Sequence, residues 1–409
     1  MKLKLTILFI LITGITIAQP AYIFHEQGLR LFSEGKFAEA IAKFDIAIKT
    51  DATYFEAYVD RGRANMRLDK NDLAMADFSK AIQLNPKFSP AYIYRGDLYA
   101  QTGNDAAAIK DYSEAIRLHP NIPGPYVSRG MIYVKTKQQQ PALDDFNKAA
   151  ALDEKNAVVF YQRGLLLRDL NKQAEALADF TKVTSLDAKN GSAWFEIARI
   201  NAAQGKNELA VTNYSKAISL GVTGEAVHRG RAVAYAAGGK TQEAIGDYGV
   251  LITTYHSKES NDFRMRGDLY VQQKKFAEAI RDYNKALQLK RDDVPVFLAR
   301  GHAYFAQGPA KYAAAEADFK KVQQLEAGNA HAARGLGKIY FAQEKWQLCI
   351  DQLSVTIKYN ATGEDYSQRG KAYWKLSNKK LACEDLSKAE AMGHPDAAKD
   401  KLNAGCPMK

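Results

Sequence analysis

One pattern recurs every 34 residues, and this repeat constrains the fold more than any other feature of the sequence. The pattern consists of a glycine, an alanine and an aromatic residue, as in Gly62, Ala74 and Phe78, and again in Gly96, Ala108 and Tyr112. Small residues at two positions and an aromatic residue at a third, with this period, are typical of stacked helical hairpins. A single hairpin cannot bury its own apolar face, so neighbouring hairpins must stack into one elongated core.

The spacing of the small residues divides the sequence into eleven units. These are residues 21–54, 55–88, 89–122, 123–156, 157–190, 191–224, 225–259, 260–293, 294–329, 330–362 and 363–393. The ninth unit holds two extra residues between Gly308 and Ala315, where Pro309 would interrupt a helix, and we expect a longer turn there. Residues 394–409 should form a capping helix and a tail.

Each unit carries two helical faces. In the first helix Tyr92, Gly96 and Tyr99 share one face, and in the second helix Ala74, Phe78 and Ala81 do so. Small residues let two helices approach closely, while the aromatic ring fills the adjoining gap. The pattern therefore predicts an all-α protein.

With these residues the sequence resembles the tetratricopeptide repeat (TPR) proteins over residues 21–393. Weaker copies have Ala198 and Ala232 in the glycine position and Cys349 in the alanine position. The resemblance implies a right-handed α-α superhelical solenoid, here residues 19–393, whose first helices line a concave groove that binds peptides or proteins. The lysines and asparagines of the family's carboxylate clamp are not matched, so no chaperone-tail partner is carried over.

The first 18 residues have the features of an export signal. Lys2 and Lys4 precede an apolar run from Leu5 to Ile17, and Ala18 provides a small residue for cleavage. The run is too short for a comfortable membrane span, and no later segment exceeds it. We expect an exported, periplasmic or secreted protein without a transmembrane anchor in the mature chain, and the repeat style suggests a bacterial source.

An arginine and an aspartate occur together in eight units and are both absent from the other three. The pairs are Arg61 and Asp77, Arg95 and Asp111, Arg129 and Asp145, Arg163 and Asp179, Arg231 and Asp247, Arg266 and Asp282, Arg300 and Asp318, and Arg369 and Asp385. Pairing with the preceding unit would place Arg61 opposite Lys43, so pairing within each unit is favoured. We expect an exposed salt bridge between the helices of a hairpin, contributing about 0 to 1 kcal/mol. A row of arginines for an anionic ligand is the alternative.

The three cysteines lie near the end of the sequence. Cys383 occupies a position that is aliphatic in most units and should face the next helix, which here is the cap at 395–403. We predict a disulfide between Cys383 and Cys406, with Ala397, Ala398 and Leu402 on one side of the cap helix, and a buried free thiol at Cys349. Three reduced cysteines remain the alternative.

Positions one and four residues after the glycine should face the groove, and in the last three units they become aromatic and basic. The candidate groove residues are His302, Phe305, Arg334, Lys338, Phe341, Lys371 and Trp374. Such a surface would suit a peptide with apolar side chains and acidic groups. Packing of these aromatic residues between adjacent first helices is the alternative.

No pattern of a catalytic or metal site is evident. The seven histidines lie in different units without metal-ligand spacing, and no glycine-rich phosphate loop follows a strand. We therefore expect no enzymatic activity and no cofactor.

The formal net charge is +11, but the lysines and arginines form no cluster in the sequence, so nucleic acid is not expected as a partner. The favoured function is a scaffold or adaptor of the cell envelope that binds other proteins or peptides. Binding of an anionic envelope polymer through the net positive charge is the alternative, and a dependence on salt would distinguish the two.

Overall fold

The computed structural model describes residues 20–407, which are helical apart from their turns and contain no strand. The predicted export signal, residues 1–18, lies outside the described residues. The described residues form two compact units, which divide between Lys189 and Asn190. The helices of the first unit are α1 Ala21–Ser33, α2 Phe37–Thr50, α3 Phe55–Arg67, α4 Asn71–Leu84, α5 Ser89–Gln101, α6 Asp105–Leu118, α7 Pro123–Lys135, α8 Gln139–Leu152, α9 Ala157–Asp169 and α10 Gln173–Leu186.

The second compact unit continues the alternation of helix and short turn. Its helices are α11 Gly191–Ala203, α12 Asn207–Ser219, α13 Glu225–Ala237, α14 Thr241–Thr253, α15 Ser260–Gln272, α16 Phe276–Leu289, α17 Val294–Ala306, α18 Tyr312–Leu325, α19 Ala330–Ala342, α20 Trp346–Asn360, α21 Gly363–Lys375, α22 Lys379–Ala391 and α23 Ala397–Asn403. A short 3-10 helix, Pro309–Lys311, lengthens the turn of the ninth hairpin, where the two extra residues lie.

Within each of the two compact units, every first helix (odd-numbered, α1 to α21) packs against the second helix that follows it, and each second helix packs against the next first helix. The predicted all-α class and the stacked helical hairpins are thus confirmed.

Contact between a bare glycine and an aromatic ring holds seven of the eleven hairpins together. The ring of Tyr112, only 2% exposed, lies against Gly96, where an added Cβ would come within 2.9 Å of Cε1. The same contact joins Gly28 to Phe44, Gly62 to Phe78, Gly130 to Phe146, Gly164 to Phe180, Gly267 to Tyr283 and Gly301 to Phe319. The repeated glycine is therefore a packing requirement, because a methyl group would occupy the space of the ring.

The turn within each hairpin needs one residue in the left-handed region. Gly103 adopts φ 82°, and the amide of Asn104 donates to the carbonyl of Tyr99 at 2.8 Å, which closes helix α5 with a Schellman-type bond. Since the turn is short, consecutive helices run antiparallel.

The arginine and aspartate pairs join more than one hairpin. In the fourth hairpin Arg129 donates to both carboxylate oxygens of Asp145, at 2.8 and 2.7 Å, and its third nitrogen donates to Ser113 of the preceding hairpin at 2.8 Å. The guanidinium carbon lies 6.0 and 5.8 Å from the ring centroids of Tyr126 and Tyr133. Seven of the eight arginines link their own hairpin to the previous one in this way, and Arg266 bonds to Asp282 of its own hairpin.

All eight arginines make the bidentate bond to the aspartate of their own hairpin. The contact with the preceding hairpin recurs between Arg61 and Asp45, Arg95 and Ser79, Arg163 and Asn147, Arg231 and Ser215, Arg300 and Asn284, and Arg369 and Ser354.

The expectation of exposed pairs is wrong, because the aspartate side chains are buried. In the fourth hairpin the side chain of Asp145 is 7% exposed and that of Arg129 is 18% exposed. Sequence spacing identified the partners but gave no measure of burial, which depends on the tyrosines and on the next hairpin.

We predict that Arg129→Ala lowers the free energy of unfolding by about 3 to 5 kcal/mol, because it leaves the carboxylate of Asp145 buried without its partner. Urea unfolding followed by circular dichroism measures the loss. Arg117→Ala is the control, since the Arg117 side chain is 67% exposed beside Glu114, and it should cost less than about 1 kcal/mol. Equal effects of the two variants would contradict the role of burial.

We also predict that Gly96→Ala destabilises by about 1 to 3 kcal/mol through overpacking against Tyr112, although alanine favours helix. Gly124 lies in the first turn of α7 with no atom within 4 Å of an added Cβ, so Gly124→Ala should be neutral or slightly stabilising. Thermal unfolding compares the two variants. A Gly96→Ala protein as stable as the Gly124→Ala protein would show that the ring does not need the bare backbone.

Candidate binding surface

Most consecutive first helices contact one another within each compact unit and so form a wall. Helix α5 contacts α3 and α7, α13 contacts α11, and α19 contacts α17 and α21. We call the exposed residues of these helices the first-helix face. Apolar side chains on this face include Met131, Val233 and Trp374, which are 48%, 47% and 41% exposed.

The basic residues predicted for the groove are paired with acids of the following hairpin or the cap. Arg334 donates to both carboxylate oxygens of Asp365 at 2.9 Å. Lys338 pairs with Glu364 at 3.0 Å. A third pair, between Lys371 and Asp400, has a distance of 2.7 Å. The positive charges of these three residues are therefore compensated in the folded protein.

Most of the predicted aromatic residues pack within their own hairpins. Phe305 stacks on Tyr312 with ring centroids 5.1 Å apart, and Phe341 meets the edge of Trp346 at 5.4 Å. These contacts place the two phenylalanines against second helices rather than between adjacent first helices. Trp374 keeps 41% of its surface exposed.

His302 lies beside Phe319, with ring centroids 5.0 Å apart. Loss of hydration lowers the pKa of His302, and the positive charge of Lys338 lowers this pKa further. His302 is therefore neutral at pH 7, since its ordinary pKa of about 6.5 is already below that value.

The first-helix face of the second compact unit holds a cavity of about 570 Å³. Helices α11, α12 and α13 line it with Phe195, Arg199, Ala202, Tyr214, Ala226, Arg229, Gly230 and Val233. Gly230 gives the cavity its floor, because a Cβ there would come within 2.5 Å of the Tyr214 ring. The ring and the glycine backbone together leave room for a ligand side chain.

Two guanidinium groups border this apolar floor. Arg229 is held by Asp262, at 2.8 and 2.7 Å, and by Glu225 at 2.7 Å. Arg199 contacts Glu196 at 3.3 Å and keeps 46% of its side chain exposed. Burial raises the pKa of Tyr214, so its phenol stays neutral near pH 7. The arrangement can accept an apolar group with a carboxylate beside it.

Sequence reasoning missed this cavity. Its signal is Gly230, two residues before the position of the repeated small residue, where most other units carry larger side chains such as Tyr94 and Gln162 and the tenth unit carries Gly335. The depth of the cavity depends on the Tyr214 ring from the preceding hairpin, which the sequence pattern did not reveal.

Two of the three cysteines lie where the last hairpin meets the cap. Cys383 and Cys406 form a disulfide with an S–S distance of 2.02 Å, and Cys349 is a buried free cysteine. Burial raises the pKa of the Cys349 thiol to about 12.

The cap helix presents a different face from the expected one. It buries Ala397, Lys401 and Ala404, whereas Ala398 is exposed and Leu402 is 66% exposed. The nitrogen of Lys401 reaches Glu390 at 2.7 Å, which satisfies its charge. The predicted apolar side of Ala397, Ala398 and Leu402 is therefore wrong.

Comparison with known families gives tetratricopeptide repeats along much of the chain. Four models described as tetratricopeptide or TPR repeats match residues 25–88 and 161–221, 89–122, 124–156, and 267–308. The chain belongs to the tetratricopeptide repeat proteins. Repeats of this family support the role of a protein-interaction scaffold.

Solved structures with a similar fold are also tetratricopeptide repeat proteins. A protein from Parabacteroides merdae is 19% identical, with a TM-score of 0.42, and the match covers 61% of this chain and 98% of that one. The C-terminal part of a protein from Cytophaga hutchinsonii is 21% identical, with a TM-score of 0.45 and coverage of 67% and 98%. YrrB, a TPR protein with an unusual peptide-binding site, is 23% identical with a TM-score of 0.41, covering 45% and 95%. No curated protein matches the sequence.

Two other kinds of site would be recognised in residues 20–407 by their own features: length and apolar character for a membrane span, and grouping of ligands for a metal site. No helix in this range has the length and apolar character needed to cross a bilayer. In the same range, no three His, Cys, Asp or Glu side chains are grouped so that they could hold a metal ion.

We predict a fixed order of cysteine labelling by iodoacetamide at pH 8. The native protein should take no label, because the Cys349 thiol is buried and protonated and the other two cysteines are bonded. Unfolding without a reductant should add one label, and unfolding with a reductant should add three. Mass spectrometry of the intact chain counts the labels, and three labels without reductant would exclude the disulfide.

Proposed function

We propose that the protein is a non-enzymatic scaffold or adaptor of the bacterial cell envelope that binds peptides or protein segments on its first-helix face. The cavity at Gly230 is the observation that carries this proposal. It combines an apolar floor with exposed Val233 and the guanidinium of Arg199 at its border. Cavities with few, well-placed polar groups are typical of ligand sites.

The cavity indicates a segment with an apolar side chain beside an acidic group. The side chain would cover Tyr214 and Val233, while the carboxylate would meet Arg199 in a charge-assisted hydrogen bond. The region from His302 to Trp374 is less suited to an acidic ligand, because its basic side chains are paired with acids and are less exposed than Arg199. The side chains of Arg334, Lys338 and Lys371 are 18%, 31% and 33% exposed, whereas that of Arg199 is 46% exposed although it also contacts an acid.

Export to the envelope is proposed from two features. The first is the leader sequence with Lys2, Lys4 and the apolar run that follows. The second is the disulfide between Cys383 and Cys406, since such bonds persist in oxidising compartments.

Binding of an anionic polymer by the repeated arginines has less support. Every arginine of that row already donates to a buried aspartate, so its charge is compensated in the folded protein.

The test is a peptide-display selection on the mature chain, followed by affinity measurement of the selected peptides. We expect apolar and acidic residues to be enriched, and Val233→Glu to weaken binding at least about tenfold through repulsion and loss of apolar contact. Val158→Glu is the control, because Val158 is also an exposed valine on a first helix, with 57% exposure. Selected peptides that bind both variants equally well would contradict the assignment of this cavity.

A further inference from the structure

The last two hairpins expose large apolar side chains along the edge where first helices end and second helices begin. Trp374 and Leu376, at the end of α21, are 41% and 45% exposed, and Leu348, in the first turn of α20, is 46% exposed. Exposed apolar side chains that stand together indicate an interaction surface.

Four lysines belong to the same two turns. Lys345 precedes α20, Lys375 ends α21, and Lys379 and Lys380 begin α22. All four are exposed, and none has a carboxylate within 4.0 Å in the part of the chain that the structure describes. Glu344 is the acidic residue of these turns. We call these lysines, with Trp374, Leu376 and Leu348, the basic aromatic edge.

Positive charge and apolar surface meet at one point of this edge. The Lys375 nitrogen lies 5.3 Å from the ring centroid of Trp374 and 5.9 Å from that of Trp346. The ammonium group of Lys375 therefore lies within cation–π distance of both indoles, which places a positive charge directly beside exposed apolar surface.

In the second compact unit, the first turns of the second helices differ in whether they contain an acidic residue. Helices α12, α14 and α16 carry Glu208, Glu243 and Glu278 there, whereas α18, α20 and α22 carry no acid in their first turns. An acid in the first turn compensates the lysine before the helix and the positive end of the helix dipole. This compensation is missing in the first turns of α20 and α22.

We propose that the basic aromatic edge docks on the surface of an anionic lipid bilayer. Trp374, Leu376 and Leu348 would enter the interfacial region, and the four lysines would lie among the lipid phosphates. Trp and Leu side chains beside lysines are the composition that binds such interfaces, and mobile lipid headgroups require no preformed cavity. An acidic peptide would instead need pockets for its anchor side chains.

The proposal goes beyond peptide binding on the first-helix face, and the two can fail separately. The experiment is flotation of the mature chain with vesicles of phosphatidylcholine alone, or of phosphatidylcholine and phosphatidylglycerol in a ratio of seven to three. We expect binding to the anionic vesicles alone, weakened by salt. Lys375→Gln with Lys379→Gln should lower the partition coefficient about 30-fold, since each lysine contributes about five-fold near an anionic leaflet.

Trp374→Ser with Leu376→Ser should also reduce binding, and a shift of tryptophan emission to shorter wavelength on vesicle addition should disappear in Trp374→Phe. The control is Lys206→Gln with Leu209→Ser, which removes an exposed lysine and leucine from the corresponding turn before α12. Equal losses in the control and the edge variants would overturn the proposal in favour of net charge. Binding of soluble polyglutamate but not of anionic vesicles would overturn it in favour of an acidic protein partner.

Discussion

The fold depends on one contact, repeated along the chain, in which an aromatic ring of the second helix lies on the bare backbone of a glycine in the first helix. Because Gly96 has no side chain, the ring of Tyr112 can approach the helix and become almost fully buried. Close approach of the two helices then buries the alanines that flank the ring. The hairpin is the product of this contact, and stacking of hairpins follows because each one leaves an apolar face open.

The arginines add a polar connection to this apolar packing. Arg129 binds the buried Asp145 with two nitrogens and the preceding hairpin with the third. A buried carboxylate is costly without its partner, so the pair fixes which hairpins meet and in what register more than it adds net stability. The same bonding removes these arginines from the charge available to a ligand, although the chain carries a net charge of +11.

Whether a basic side chain remains available to a ligand therefore depends on whether an acidic side chain pairs with it. On the first-helix face Lys338 and Lys371 are compensated by acids, whereas Lys375 and Lys379 on the basic aromatic edge are not. The cavity over Tyr214 and this edge offer two chemistries to partners: a concave apolar site with an arginine, and a protruding apolar edge with lysines. A scaffold that binds a protein segment on one surface and a lipid surface on another could hold its partner near a membrane.

The sequence by itself determined the helical hairpins, the glycine–aromatic contacts and the identity of the arginine and aspartate partners, because all of these lie within one period of 34 residues. It also indicated the bond from Cys383 to Cys406. Only the tertiary structure decided the burial of Asp145, the pairing of Lys371 with Asp400 and the buried face of the cap helix. These depend on side chains from neighbouring hairpins, or on a seven-residue helix too short to show a period, so the local pattern could not specify them.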